Sequence, residues 1–219
     1  MFTHRIPPAR LRHVRWLAGG TGSGKTTLAR TLAHRYGVSV YDGDAAERSY
    51  LARCTVEAQP RLLALAAMSV RQRWLDRSPS EIFAAMPSLH GETFGFVVDD
   101  VLASDPAVVL LVDDFRTLPR EVAPLLSWPG QAVFLVPTPE FRRAALSARY
   151  ADPARARADW GELDLATVLE ARLARDALWD SEIVRQAREL DLPLRVVDGN
   201  RSVDELTTDL AAQFRLHPI

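Results

Sequence analysis

Cysteine, lysine and long apolar runs are what this sequence has least of, and each shortage excludes something. A single cysteine, Cys54, rules out an internal disulfide and suits a reducing, cytoplasmic setting. It reads as helical filler rather than as a nucleophile. No stretch reaches the roughly 18 apolar residues that a membrane-crossing helix needs. The opening MFTHRIPPARLRHVRW carries no apolar run of the kind a secretory leader has. A net charge of −1 gives no basic field for nucleic acid and no polybasic patch for a membrane, so neither is expected as a partner. No repeat or low-complexity tract interrupts the chain. An apolar share of 47% over 219 residues is enough for a full core and suits one domain spanning 1–219.

Lysine occurs once, at Lys25, against 26 arginines. Arginine replaces lysine readily on a solvated surface, so the exception is the informative residue. Lys25 lies in GGTGSGKT, residues 19–26, which matches G-x-x-x-x-G-K-[ST] at every defined position. In such a loop backbone N–H groups wrap phosphates, and the following helix turns its positive end on them. A compact ammonium reaches between the outer phosphates, where a planar guanidinium is too wide. The candidate nucleotide-binding residues are Gly20, Thr21, Gly22, Ser23, Gly24, Lys25, Thr26 and Thr27, and the Thr26 hydroxyl is offered to Mg²⁺.

Apolar runs bounded by glycine or acidic residues predict strands over 13–18, 38–44, 107–114, 131–137 and 192–199. Helical spacing, caps and stops predict helices over 26–37, 138–149, 163–190 and 203–214. Residues 45–77 read as helical with a break near Pro60, 78–87 as a short helix, and 91–104 as a separate one. Residues 150–162 read as a mobile, arginine-bearing loop. The alternation of strand and helix predicts an α/β fold with a parallel sheet of about five strands flanked by helices. Ligands in such sheets bind at the carboxyl ends of the strands.

Acidic residues gather at those ends. Asp42 and Asp44, in YDGD, share a face of an extended segment; the same triplet also makes an ordinary turn and helix cap. Asp113 and Asp114 close the run AVVLLVDD. Asp113, first after the apolar residues, is expected beside a metal's water, and a strand-end cap is the other reading. Arg116 either grips an anion or pairs with Asp114. Arg142, Arg143, Arg149, Arg155 and Arg157 cluster late in the chain. Most of so many arginines are solvated helix faces. His90, Glu92 and Phe94, with Trp74, line an acceptor pocket or are plain core. No His or Cys stands near His90 at zinc-ligand spacing.

With these pieces the chain resembles the P-loop small-molecule kinases, the group of shikimate, gluconate and adenylylsulfate kinases and chloramphenicol phosphotransferase. The matching stretches are GGTGSGKTT, the DGD after the second strand, the acid-ended VVLLVDD and LRVVDGNRSVDELT. The resemblance implies a P-loop NTPase fold with a helical substrate-side insertion at 45–104 and a charge-neutralising lid at 138–162, with Arg142 and Arg149 the first candidates. It implies ATP- and Mg²⁺-dependent transfer of a phosphoryl group to a hydroxyl of a small-molecule acceptor, be it metabolite, nucleoside or antibiotic. In that group the first Asp of D-x-D lies near the metal's waters and the second faces the acceptor hydroxyl as base. This assigns Asp42 to the metal side with Thr26 and Asp113, and Asp44 to catalysis with Lys25. Asn200 and Arg201 correspond to the loop over the adenine. Arg175, in ARLARDALWD, resembles an arginine that reaches the substrate; Glu92 and Arg116 are further acceptor-side candidates. Residues 45–104 are longer than a shikimate-type module. The alternative is a nucleotide-dependent switch without an acceptor; the base-reading N-K-x-D of GTPases is absent, because Lys25 is the only lysine.

Overall fold

In the computed structural model, which describes residues 6–217, the five expected strands form one sheet. They are β1 (Val14–Gly19), β2 (Ser39–Asp42), β3 (Leu110–Asp114), β4 (Ala132–Pro137) and β5 (Leu194–Val197). Their order is β2-β3-β1-β4-β5 and every pairing is parallel. The helices are α1 (Lys25–Tyr36), α2 (Gly43–Tyr50), α3 (Pro60–Ala67), α4 (Val70–Trp74), α5 (Pro79–Leu102), α6 (Pro119–Val122), α7 (Pro139–Tyr150), α8 (Pro153–Trp160), α9 (Leu165–Glu189) and α10 (Val203–Phe214). No helix among the described residues is long and apolar enough to cross a membrane.

Strands β1, β3 and β4 are buried along their whole length, as parallel strands covered on both faces must be. Successive side chains alternate between two layers. Val14, Trp16, Ala18, Val112 and Phe134 pack with Val97 and Val101 of α5 and with Trp179 and Ile183 of α9. Leu17, Leu111, Val133 and Leu135 pack with Leu28 and Leu32 of α1 and with Leu210 and Phe214 of α10. A smaller cluster of Leu146, Tyr150, Trp160 and Val168 ties α7, α8 and α9 together, with Trp74 of α4 against it. The register sets Asp42 beside Asp113 and Ala18 beside Asp114. The acids and the glycine loop therefore meet at one edge of the sheet.

Two elements differ from the sequence reading. The expected separate helices over 78–87 and 91–104 are one helix of 24 residues, α5, running through Pro87. Ser78 starts it with a reciprocal capping box to Glu81. An interior proline costs about 3 kcal/mol. Met86, Val97 and Val101 are buried along the same helix, and full burial of each such side chain contributes about 1.5–3 kcal/mol, so the packed stripe outweighs the break. The expected loop over 150–162 contains α8. Asp152 caps it by accepting from the Ala154 N–H at 2.9 Å, and Trp160 packs on Tyr150 with ring centroids 3.9 Å apart. Its arginines are spent locally, Arg155 on Asp159 and Arg157 on Glu162. Cys54 follows a 3-10 turn rather than lying in a helix; its thiol donates to the Tyr50 carbonyl, and burial raises its pKa.

Glu121 of α6 gives the fold a pH dependence. Its carboxylate accepts from the Leu118 N–H at 2.9 Å. Burial pushes its pKa from 4.5 up to about 7, with the charge of Asp114 adding to the rise. Between those two values the native state holds a proton that the unfolded state releases, so this group's contribution falls as pH rises through the window and is flat above it. Glu121→Gln is expected to match the wild type near pH 4.5 and to exceed it at pH 8 by about 3 kcal/mol. Denaturant midpoints at the two pH values check this; an equal gap at both would remove the ionisation account.

Candidate functional site

The loop leaves β1 through Gly19, whose φ of +123° and closeness to β4 both exclude a side chain: a Cβ there would run into the Leu135 carbonyl. Gly24, with φ of +84°, caps α1 without any side-chain bond. The first N–H groups of α1 therefore face the cleft unclaimed by a side-chain cap. Lys25 folds back over the loop, its Nζ donating to the Gly20 carbonyl at 2.8 Å and to Ser23 Oγ at 3.5 Å. Burial pulls its pKa down to about 8, and the charges of Asp113, Asp114 and Asp44 limit the fall. The cleft in front of the loop is small, about 100 Å³. Thr21, Gly22, Gly24, Lys25, Thr26 and Thr27 line one side, and Asp42, Asp44, Asp113, Asp114, Phe115 and Arg149 the other.

The four acids of this cleft have different surroundings. Asp42 caps α2, accepting from the Ala45 N–H at 2.9 Å, so the cap reading and the cleft position hold together. Gly43 follows because α2 starts hard against Asp114; a Cβ at Gly43 would lie 2.7 Å from Asp114 Oδ1. Asp114 is fully engaged: Thr117 Oγ1 donates to Oδ2 at 2.8 Å and Arg116 Nη1 donates to Oδ1 at 2.9 Å. Asp113 is buried, with the Thr26 hydroxyl against its carboxylate. Burial raises its pKa, and Lys25 and the Thr26 hydroxyl oppose the rise. Asp44 stands at the mouth, its side chain 70% exposed, accepting from Arg116 Nη2 at 3.0 Å.

Arg116 organises this edge. Its Nε donates to Glu47 Oε1 at 2.8 Å, Nη2 donates to Glu47 Oε2 and Asp44, and Nη1 to Asp114. Burial would lower its pKa, but the carboxylates of Asp114, Glu47 and Asp44 more than offset this and raise it. The pairing with Asp114 was one of the two sequence alternatives. Glu47 was not singled out, although it lies three residues after Asp44 on α2, the spacing that puts two side chains on one helix face.

Two expectations are corrected. Arg142 is not a lid arginine: it is buried, its Nε donates to the Thr21 carbonyl at 3.2 Å and its Nη2 pairs with Asp180 of α9. It braces the phosphate loop from behind. Glu92 is not in an acceptor pocket: it accepts from the Arg61 N–H at 2.9 Å and the Leu62 N–H at 3.0 Å, capping α3. Arg149, in the last turn of α7, does reach the cleft, and no ion pair claims it among the described residues. Asn200 and Arg201 follow β5, where Gly199 lies on Phe141 of α7. Asn200 is bonded to Asp198 and Arg201 to Asp209, and neither lines the cleft. Arg175 and Arg116 line a second cavity, of about 430 Å³, with Trp74 and His90; Phe94 packs on Trp16 in the core.

Among the described residues no three His, Cys, Asp or Glu side chains stand close enough to cage a metal. Mg²⁺ needs no such cage: it takes one or two protein oxygens and completes its shell with waters and phosphate oxygens. Thr26 and the buried Asp113 beside it are such a donor pair, so the residues suit a cation shared with a polyphosphate.

A parallel sheet in this order, with the glycine loop GGTGSGKT joining its central strand to α1, defines an α/β protein with five strands flanked by helices. No family model and no curated protein matches the chain. Solved structures do. A sugar kinase from Janibacter sp. is 19% identical over 94% of this chain and 95% of its own, with a TM-score of 0.43. TT1252 from Thermus thermophilus is 20% identical over 91% and 94%, with a TM-score of 0.49. An uncharacterized protein from Eubacterium ventriosum is 13% identical over 92% and 97%, with a TM-score of 0.45.

Proposed function

We propose that the protein is an ATP- and Mg²⁺-dependent phosphotransferase that passes a γ-phosphoryl group to a hydroxyl of a small acceptor. One observation carries the reading: a second, larger cavity lies beside the phosphate-loop cleft, with Phe115 lining both. A nucleotide switch needs the first space only, whereas transfer needs a place for the acceptor beside the phosphates.

The residues then take the following roles. The N–H groups at the start of α1 and the Lys25 ammonium hold the phosphates. Thr26 and Asp113 hold Mg²⁺, with Asp42 on the same side; the cation supplies charge neutralisation when bound. Arg149 faces the phosphoryl group from α7. Asp44, at the mouth of the cleft and bonded to Arg116, which lines the second cavity, takes the proton of the attacking hydroxyl as the new O–P bond forms and ADP leaves. Arg142 acts by bracing the loop, and Asn200 and Arg201 stand on the base side of the nucleotide.

The deciding measurement is ATP consumption with and without acceptors. Slow turnover that rises with the right hydroxyl compound supports the kinase reading; turnover indifferent to every acceptor supports a switch. Within it, Asp44→Asn is expected to lower kcat about 100-fold with ATP affinity kept, the usual worth of a general base. Asp113→Asn is expected to weaken Mg·ATP binding. Exchange of the two phenotypes would exchange the two roles.

A further inference from the structure

The second cavity has a chemistry that narrows its occupant. We propose that the space between α3, α4, α5 and α9 takes an organic anion with an apolar body and a hydroxyl, its anionic end against Arg73, Arg77 and Arg175 and its hydroxyl at His90; as the identity of the acceptor, this rests on the phosphotransferase reading.

The walls give the apolar body. Leu65, Met68, Ile82, Met86 and Leu89 face the cavity, and Trp74 closes one side. A volume of about 430 Å³ holds a molecule the size of a substituted ring or a nucleoside.

The charges give the anion. Five arginines line the cavity against one carboxylate, Glu47. Arg116 is compensated by Asp114, Glu47 and Asp44, and Arg61 by Glu92. The other three are not. Arg175 pairs with Asp176, but the same carboxylate also serves Arg172. Arg73 donates only to two backbone carbonyls, those of Met68 at 3.0 Å and Ala66 at 2.9 Å. Arg77 makes no ion pair among the described residues, and its buried Nε has no hydrogen-bond partner. Guanidinium groups left short of anions around an apolar space favour a carboxylate, phosphate or sulfonate there. They disfavour a cationic aminoglycoside and leave a neutral sugar without its strongest contact.

His90 gives the hydroxyl. It is 7% exposed and neither ring nitrogen has a partner. Phe115 and Trp179 pack edge-on against the ring and fix it. Burial, with the charges of Arg116 and Arg175, holds the imidazole neutral, so it offers one donor and one acceptor. A buried side chain with both functions unused is completed by a group that both donates and accepts, which a hydroxyl does. His90 also faces Phe115, the residue shared with the phosphate cleft.

The test uses two dyes with the same aromatic body. 8-Anilinonaphthalene-1-sulfonate is anionic; N-phenyl-1-naphthylamine is neutral. The wild type is expected to bind the anionic dye about tenfold more tightly, the worth of one charge-assisted hydrogen bond. Arg77→Gln should remove most of that preference and leave the neutral dye unchanged. Ala85→Phe, which fills the cavity, should weaken both; Met68→Trp serves if that variant does not fold. Displacement by benzoate or by phenyl phosphate, with benzyl alcohol inert, tells a carboxylate acceptor from a phosphate one. Equal affinity for the two dyes, an Arg77→Gln variant that keeps the preference, or filling variants that leave the anionic dye bound would each overturn the proposal. Neither dye engages the phosphate loop, so Lys25→Ala should bind both as the wild type does. Dye selectivity without any acceptor-dependent ATP consumption would keep the anion cavity and remove the phosphotransferase reading. Acceptor-dependent consumption without dye selectivity would do the reverse.

Discussion

Lys25→Met is expected to lose phosphoryl transfer by about 1,000-fold or more, the upper range for removing one preorganised charge from a transition state, while melting no lower than the wild type. The two halves have one cause. The ammonium is fully enclosed, and burial has pulled its pKa down to about 8. A charge held in a place that depresses its pKa costs the fold stability at neutral pH, here on the order of 2 kcal/mol. An apolar side chain of similar length removes that cost, and for a chain of this size the gain is about 5 °C. Lys25→Arg should fail for a different reason. The pocket holds one Nζ between the Gly20 carbonyl and Ser23, and a planar guanidinium cannot enter it without moving the loop. Turnover and thermal melting of the three proteins check both halves. Near-normal turnover of Lys25→Arg would end the idea that this slot explains why the chain keeps its one lysine.

What the sequence made legible follows the range of the forces involved. Strand and helix came from local pattern: VVLLVDD is apolar until its acids, and residues 203–214 carry helical spacing with a Ser202–Glu205 box at the start. The glycine loop was legible because its backbone shape demands those residue types in a row. Misread features all depend on contacts distant in the chain. Pro87 argues locally for a break, and burial against α9 and the sheet overrides it. The arginines of α8 suggested a mobile loop, yet Trp160 anchors that helix to Tyr150. Arg142 is a brace because of Asp180, 38 residues away, and Glu92 is a cap because α3 starts against it, 31 residues back. His90 and Trp74 were open between pocket and core. The structure makes them both, since each packs against aromatic neighbours while facing the second cavity.

Arg116→Met is expected to lower stability by about 3–5 kcal/mol, the range for stripping the counter-ion from buried charge, which is about 10 °C in melting temperature. Among the described residues Arg116 is the one group that bonds to all three of these mutually repelling acids: Asp114 on β3, and Asp44 and Glu47 on α2. Asp114 is 4% exposed and keeps only Thr117 when the guanidinium goes. The start of α2 is pressed onto Asp114 through Gly43, so the helix cannot simply swing its acids into water. Asp44→Asn removes one exposed partner and should cost less than about 1 kcal/mol. Arg116→Lys should fall between, because one ammonium cannot reach both Asp114 and the two oxygens of Glu47 as the fork does. Adding Glu47→Gln to Arg116→Met should restore part of the loss, since the second change removes a charge that the first left unpaired. Chemical denaturation of the single and double variants reads all of this. If Arg116→Met costs no more than Asp44→Asn, the three acids do not depend on this arginine. The same arginine lines the second cavity and holds Asp44 at the phosphate cleft, so a variant that folds but has lost it should also lose turnover more steeply than Asp44→Asn alone.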